Sequence, residues 1–377
     1  MKKIGIDARF FGPEAKGLGR YVQKLIQYLE KIDANSDRHY YIFLRKEQFE
    51  QYVPGADNFT KVLADYQWYT FEEQFKYPLF LNQYKLDLIH FCHFNVPLFY
   101  RRSFIVTIHD LILLHYPTIR NTTLHHYYYA VKLFAYEKVI RSAARRARKI
   151  ITVSEFTRND IVNNIFISEE KVAVTLEGCE AELLRELLPN SLAIYEKYKI
   201  KKPYLLYVGN AYPHKNLEKL CQAFTSVLEK FPNLQLVLVG GKDFFYQRLE
   251  KYIKDNDLKN IILTGYVNDF ELEVIYRGAE AFVFPSLYEG FGLPPLEAMV
   301  KNIPVVSSDR TSMPEILGDA ALYFDPEDVN AMAVQLKRLL SERWLKEDLK
   351  ARGKKRGALF DWETMARQTL EIYKSIV

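Results

Sequence analysis

Two carboxylates, Glu289 and Glu297, flank a glycine-rich turn in the run from Phe284 to Met299, Phe-Pro-Ser-Leu-Tyr-Glu-Gly-Phe-Gly-Leu-Pro-Pro-Leu-Glu-Ala-Met. Pro294 and Pro295 fix φ and push Leu293 away from helix, so a helix is expected from about Pro295 with Glu297 in its first turn. Glu289 then lies in the loop before it. Gly290 and Gly292 would let that loop approach a ligand, with backbone N–H groups and the helix N-terminus favouring a diphosphate. The apolar run Ala281–Phe284 reads as a buried strand, and strand, loop and helix in that order is where doubly wound sheets bind ligands. Taken singly, Glu297 could be a first-turn acid and Gly290–Gly292 a tight turn. A glycosidase acid and base pair is disfavoured, because nothing in this spacing fixes the two carboxyls at the separation such enzymes need.

A second cluster lies in Val208-Gly209-Asn210-Ala-Tyr-Pro-His214-Lys215-Asn216-Leu217, again after an apolar run and before a helical one. Lys215 is the candidate phosphate cation. As an ordinary solvated residue it would be slightly unfavourable at a helix N-terminus unless an anion visits. A third lies at Phe104-Ile-Val-Thr-Ile-His109-Asp110, where a buried strand ends in polar groups. His90, His93, His115, His125 and His126 have no such placement and read as structural or surface residues. His90 and His93 flank Cys92, but no fourth ligand presents itself for zinc. Asp255-Asn-Asp257, the one Asp-x-Asp, falls in a lysine-rich turn and reads as a solvated loop, so no metal is expected.

The pattern Glu289-Gly-Phe-Gly-Leu-Pro-Pro-Leu-Glu297 resembles the signature of retaining glycosyltransferases of family 4. That resemblance implies an α/β chain of the GT-B fold: two Rossmann-like, doubly wound domains with an interdomain cleft. It implies that His109 lies near the reacting sugar carbon, with Lys215 and Glu289 as the other catalytic residues. It implies a donor site of Gly209, Asn210 and Lys215, then Tyr266 and Val267 at the nucleobase, and Glu289, Gly290, Phe291, Gly292 and Leu293. Glu289 would hold sugar hydroxyls and Glu297 the ribose. Gly17 and Gly19 match the family's glycine-rich loop of the first domain, facing the donor phosphates. The family's arginine after the glycine is replaced here by Asn210, and His214 or Arg20 is expected to compensate for the missing cation. The implied chemistry is a metal-independent front-face transfer with no cofactor beyond the nucleotide-sugar co-substrate. The run Gly-Asn-x-x-Pro-His-Lys-Asn-Leu resembles mannosyltransferases of polysaccharide assembly. This points to GDP-mannose, with a UDP-sugar as the alternative and a saccharide or polyprenyl-diphosphate-linked saccharide as acceptor. A nucleotide-sugar 2-epimerase would need further acid and base residues that are not found, and a non-catalytic sugar-nucleotide module would have little use for all four polar residues together.

The elements that must position these groups follow from hydrophobic patterning. A chain of 377 residues with 49% hydrophobic content is long enough for two cores. Strands are expected at Ile4–Ala8, Tyr40–Leu44, Leu86–Phe91, Phe104–Ile108, Ile150–Val153 and Val172–Leu176, alternating with helical stretches, which indicates a parallel sheet. A second series starts at Tyr204–Gly209 and runs through strands at Leu236–Val239, Ile261–Leu263, Ala281–Phe284, Val305–Ser307 and Leu322–Phe324. The expected organisation is a first domain over 1–178, a linker over 179–202, a second domain over 203–360, and a helix over 361–377 that the resemblance implies crosses back to the first domain.

Three scattered cysteines without redox or metal spacing, and an N-terminus without a signal peptide's apolar region, point to a reducing cytoplasmic protein. The net charge of +5 is modest, yet Lys132–Lys149 alone holds seven basic residues against the single acid Glu137. Lys138, Arg141, Arg145 and Arg148 share one helix face, behind the aromatic start of the segment 125–149. That helix either presents a solvated face or makes peripheral contact with anionic lipid on the inner face of the membrane. Nucleic-acid binding is disfavoured by the modest total charge and the lack of a reader motif.

Overall fold

A computed structural model describes residues 1–12, 15–117, 126–179 and 191–377, with the side chains of 126–132 also left aside. His125 and the aromatic start of the basic segment thus lie outside the described residues. The chain divides into two compact units. The first comprises residues 1–114, 124–178 and 361–377, the second 115–123 and 179–360.

The first unit runs β1 (Lys2–Asp7), α1 (Lys16–Asp33), β2 (Arg38–Leu44), α2 (Lys46–Gln51), β3 (Phe59–Leu63), α3 (Phe71–Asn82), β4 (Leu88–Phe91), β5 (Phe104–Thr107), α4 (Ile112–His115), α5 (His126–Arg146), β6 (Ile150–Thr152), α6 (Glu155–Ile161) and β7 (Val172–Val174). The second runs α7 (Ser191–Tyr198), β8 (Tyr204–Val208), α8 (Leu217–Lys230), β9 (Gln235–Val239), α9 (Phe244–Asp255), β10 (Ile261–Gly265), α10 (Asp269–Gly278), β11 (Ala281–Phe284), α11 (Leu293–Val300), β12 (Val305–Ser308), α12 (Met313–Leu317), β13 (Ala321–Phe324), α13 (Val329–Ser341) and α14 (Arg343–Gly357). The last helix, α15 (Trp362–Lys374), belongs to the first unit and packs on α1.

Each unit is a parallel sheet whose strand order reverses beside its first strand: β3-β2-β1-β4-β5-β6-β7 in one and β10-β9-β8-β11-β12-β13 in the other. The central strands β4, β5, β11 and β12 are buried at every position, as expected where helices cover both faces. The chemistry-bearing residues follow the C-terminal ends of these strands, because the strands run parallel and all such loops therefore emerge at one edge of the sheet.

Three features depart from expectation. The region read as a linker carries α7, which packs on α10 inside the second unit: the Tyr198 hydroxyl donates to Glu271 at 2.7 Å and Lys197 pairs with the same carboxylate. The resemblance matches Gly17 and Gly19 to a glycine-rich loop, and the structure puts them in the helix that residues 17–21 are expected to open, α1. Gly19 is there because the helix meets the backbone of residues 10–12, and a Cβ would stand 1.8 Å from the Gly12 carbonyl oxygen. Finally, β3 adds an edge strand to the first sheet that was not among those expected, and α3 follows it. The strand is a half-exposed edge, and α3 turns Phe71, Phe75 and Leu79 to solvent, so neither shows the usual period of a buried face.

Candidate functional site

In the second unit the geometry centres on an ion pair. Lys215 closes a short turn, Pro213–Lys215, in the loop after β8, and Glu289 lies in the loop after β11, the two strands that flank the sheet's reversal. The Lys215 Nζ meets Glu289 Oε1 at 2.5 Å, with side chains only 13% and 10% exposed. Lys215 Nζ also lies over the Phe284 ring, 5.7 Å from its centroid. Both backbones are fixed. Asn216 adopts a left-handed conformation (φ 60°) and its side-chain amide donates to the carbonyls of Pro285 and Pro326 at 3.2 and 2.7 Å. The Glu289 N–H donates to Thr311 Oγ1 at 3.0 Å, while the Ser312 hydroxyl donates to the carbonyls of Glu289 and Phe291. The Leu287 N–H donates to the His214 carbonyl at 2.7 Å, tying the two loops together.

The helix after Glu289 begins earlier than expected. α11 starts at Leu293 behind Gly292, whose φ of +100° and contact with Met313 leave no room for a side chain. Prolines fit a first turn because its N–H groups have no intrahelical partner. Two consequences follow: Glu297 is the fifth helical residue, outside the first turn, and Pro294 and Pro295 remove two of the amide donors expected to face a ligand. Gly290, Phe291, Gly292 and Leu293 are all buried in this loop and helix start.

His214 does not compensate for the missing arginine. It is buried, and its pKa is pushed down to about 3 by burial and then by Lys215, so its ring is neutral at physiological pH. Its Nδ1 is buried without a hydrogen-bond partner. Arg20 is in α1 of the first unit, exposed. Gly209 and Asn210 follow β8 directly, where the Tyr207 hydroxyl donates to the Asn210 carbonyl at 2.8 Å. Tyr266 follows β10 and is 79% exposed, whereas Val267 is buried and Asn268 caps α10. Tyr288, next to Glu289, stacks on His115 at 5.0 Å.

In the first unit His109 follows β5. Its Nε2 donates to the Cys92 carbonyl at 3.1 Å and its Nδ1 faces Glu177 Oε1 at 3.3 Å. Tyr21 of α1 meets the ring edge-on at 4.7 Å, and the Thr107 hydroxyl that contacts Tyr21 also contacts His90. His90 is fully buried between Thr107 and the Tyr373 hydroxyl of α15, with its pKa driven to about 3 by burial. Glu177 is the residue the sequence did not offer: it is buried, follows β7, and carried no spacing signal toward His109. Asp110 serves locally, accepting from the Ile112 N–H at the start of α4. Asp255 and Asp257 pair with Lys251 and Lys259, and among the described residues no three His, Cys, Asp or Glu side chains converge as a metal site.

Comparison with known proteins agrees with this architecture. Residues 15–182 match the model of Glycosyltransferase Family 4 and residues 192–356 that of Glycosyl transferases group 1. The chain is 32% identical over 300 residues to the O-antigen chain mannosyltransferase B of Escherichia coli, covering 78% of this chain and 76% of that one. It is 25% identical to the O-antigen chain mannosyltransferase RfbU of Salmonella typhimurium over 87% and 88% of the two chains. Among solved structures, sucrose-phosphate synthase of Thermosynechococcus elongatus superposes with a TM-score of 0.74 at 21% identity, covering 100% of this chain and 99% of that one. WaaG, a glycosyltransferase involved in lipopolysaccharide biosynthesis, gives 0.70 at 16% identity, covering 99% of each. Two parallel-sheet units of this topology, matched by both family models and by a relative at this identity, mean that the chain belongs to the family 4 glycosyltransferases and is a transferase of the GT-B fold.

Proposed function

We propose that this enzyme moves a mannosyl unit from GDP-mannose to a saccharide or lipid-linked saccharide acceptor, with retention at the anomeric carbon and without a metal. The observation that carries this reading is the Lys215–Glu289 pair, which sets a cation and a carboxylate side by side where the sheet order reverses. Mannose is supported by the two O-antigen relatives, both of them mannosyltransferases. Lys215 would bind the donor diphosphate and offset the charge that grows on it as the sugar C1–O bond breaks. Glu289, released from the lysine, would hold sugar hydroxyls. The acceptor hydroxyl would form the new C1–O bond on the same face, and its proton would pass to the departing phosphate. Tyr266 lies two strands from Lys215 in the sheet, on the order of 10 Å at the usual strand spacing. That span suits a nucleotide with its base on the tyrosine and its diphosphate on the lysine. Glu297 would take the ribose, and His109 would serve near the reacting carbon.

A UDP-sugar is the alternative donor, suggested by a fold neighbour, the Anabaena protein HepE, solved with UDP and glucose. Nucleotide binding separates the two. GDP should raise the melting temperature and UDP should not, since a ligand that binds only the folded state stabilises it in proportion to its occupancy. Transfer from GDP-mannose, with the product's anomeric configuration read by NMR, completes the test. A rise with UDP alone would assign the other donor, and no rise with either would remove the donor site.

A further inference from the structure

Each half of the Lys215–Glu289 pair leans on a residue in the left-handed conformation, and the two residues differ in how well they suit it. Asn216, beside Lys215, has φ 60°, a conformation asparagine visits readily. Thr311, the hydrogen-bond partner of Glu289, has φ 56° and is the one β-branched residue at positive φ among the described residues. There the branched Cβ crowds the following carbonyl oxygen, so the backbone at Thr311 is strained. Glycine would adopt this conformation freely. The threonine methyl gains little from burial, because the residue is partly exposed in the turn between β12 and α12. What threonine adds over glycine is the hydroxyl, and its Oγ1 accepts the Glu289 N–H at 3.0 Å.

The turn is tied down without that side chain. The Asp309 N–H donates to the Phe324 carbonyl at 3.0 Å, the Arg310 N–H to the Ser308 hydroxyl at 3.1 Å, and the Arg310 guanidinium to Asp325 at 2.9 Å. Ser312, fully buried, donates to the Glu289 and Phe291 carbonyls at 3.0 and 3.2 Å, and Met313 packs where a side chain on Gly292 would stand. Strain persists where the surroundings over-determine the backbone in this way, and such residues cluster at functional sites. We propose that Thr311 is a positioning residue for Glu289: the strained conformation delivers a hydroxyl to the Glu289 N–H, and this bond sets the direction in which the Glu289 carboxylate meets Lys215. The inference rests on the proposed role of Glu289 in holding the donor sugar. It makes the hydroxyl the functional part of Thr311 and the branch at Cβ a burden on the fold.

The test is a series of variants of the full chain at position 311, read both by melting temperature and by turnover of GDP-mannose with a saccharide acceptor. Thr311→Ser keeps the hydroxyl and sheds the branch, so it should retain the natural kcat/KM and melt no lower than the natural chain. Thr311→Gly and Thr311→Ala both lack the hydroxyl and should each lose about tenfold or more in kcat/KM, as a displaced contact group does. Between those two, Thr311→Gly should melt about 2–4 °C above Thr311→Ala, because alanine is strained at this φ and glycine is not. Stability and activity thus part company, which a threonine of structural importance alone would not produce. Equal losses of activity in Thr311→Ser and Thr311→Gly overturn the proposal, and so does a Thr311→Ala variant that melts above Thr311→Gly. Natural turnover in Glu289→Ala would remove the role of Glu289 and this inference with it. An inactive Glu289→Ala beside a fully active Thr311→Gly would overturn the role of Thr311 alone.

Discussion

The two units wind their sheets alike and place their polar residues at the same edge, yet they finish them differently. His109 in the first unit has both ring nitrogens engaged by fixed protein groups, the Cys92 carbonyl and the buried Glu177 carboxylate. Lys215 in the second has one carboxylate partner, Glu289, which is itself a candidate ligand-holding group. The first arrangement is a side chain held in one orientation. The second is a pair that, on the proposed function, a charged ligand would enter by exchanging partners. If the proposed function holds, losing a residue from the second removes a direct contact with the substrate, whereas losing Glu177 loosens a geometry.

The largest effect is expected at the ion pair. Lys215→Ala should lower kcat/KM by about 10²–10³, the usual loss for one preorganised charge-stabilising group. Glu289→Ala should be of similar size, and the double variant should cost little more than the worse single one, because residues acting as a unit are not additive. Additive losses measured in that cycle would mean that the two act separately.

Both units also bury a neutral histidine beside the candidate residues, His90 in one and His214 in the other, each with its pKa lowered to about 3 by burial. The unfolded chain holds these histidines near 6.5, so it binds protons that the folded chain refuses. Stability from this source is fully present above about pH 6.5 and is lost as pH falls toward 3. For His90, fully buried, the loss by pH 5 is about 2 kcal/mol. The melting temperature should fall between pH 7 and pH 5, and His90→Gln should flatten that fall. An unchanged slope in the variant would move the source elsewhere.

Glu177→Ala should cost about tenfold in kcat with KM little changed, while Glu177→Gln, able to keep a hydrogen bond, recovers part of the rate. Equal losses in both would show that the negative charge, rather than the positioning, matters. Tyr266→Ala should have the smallest effect, weakening nucleotide binding by about fivefold as measured calorimetrically, at the low end for one stacked base because the ring is exposed. A strong loss would make Tyr266 a larger part of the donor site than its exposure suggests.

Much of this was legible from residue types alone. The strands β1, β4, β5, β8, β11 and β12 are short apolar runs bounded by polar or glycine-rich residues, so their existence and the loops after them could be read directly. The exceptions have physical causes. β3 and α3 face solvent with apolar side chains, which erases the contrast between buried and exposed positions. α11 begins two residues early because a first turn tolerates prolines that a helix interior would reject. His214 reads as a spare cation in sequence but is buried and neutral.

By itself the sequence determined two parallel sheets with helices on both faces and the edge at which polar residues cluster, because the hydrophobic period along each segment is a local property. The tertiary structure decided which polar residues meet. Lys215 and Glu289 stand 74 positions apart and touch only because β8 and β11 are neighbours where the sheet order reverses. Glu177 meets His109 because β7 and β5 lie on the same side of the first sheet. Partnership between distant side chains depends on strand order and burial, and neither leaves a period in the sequence.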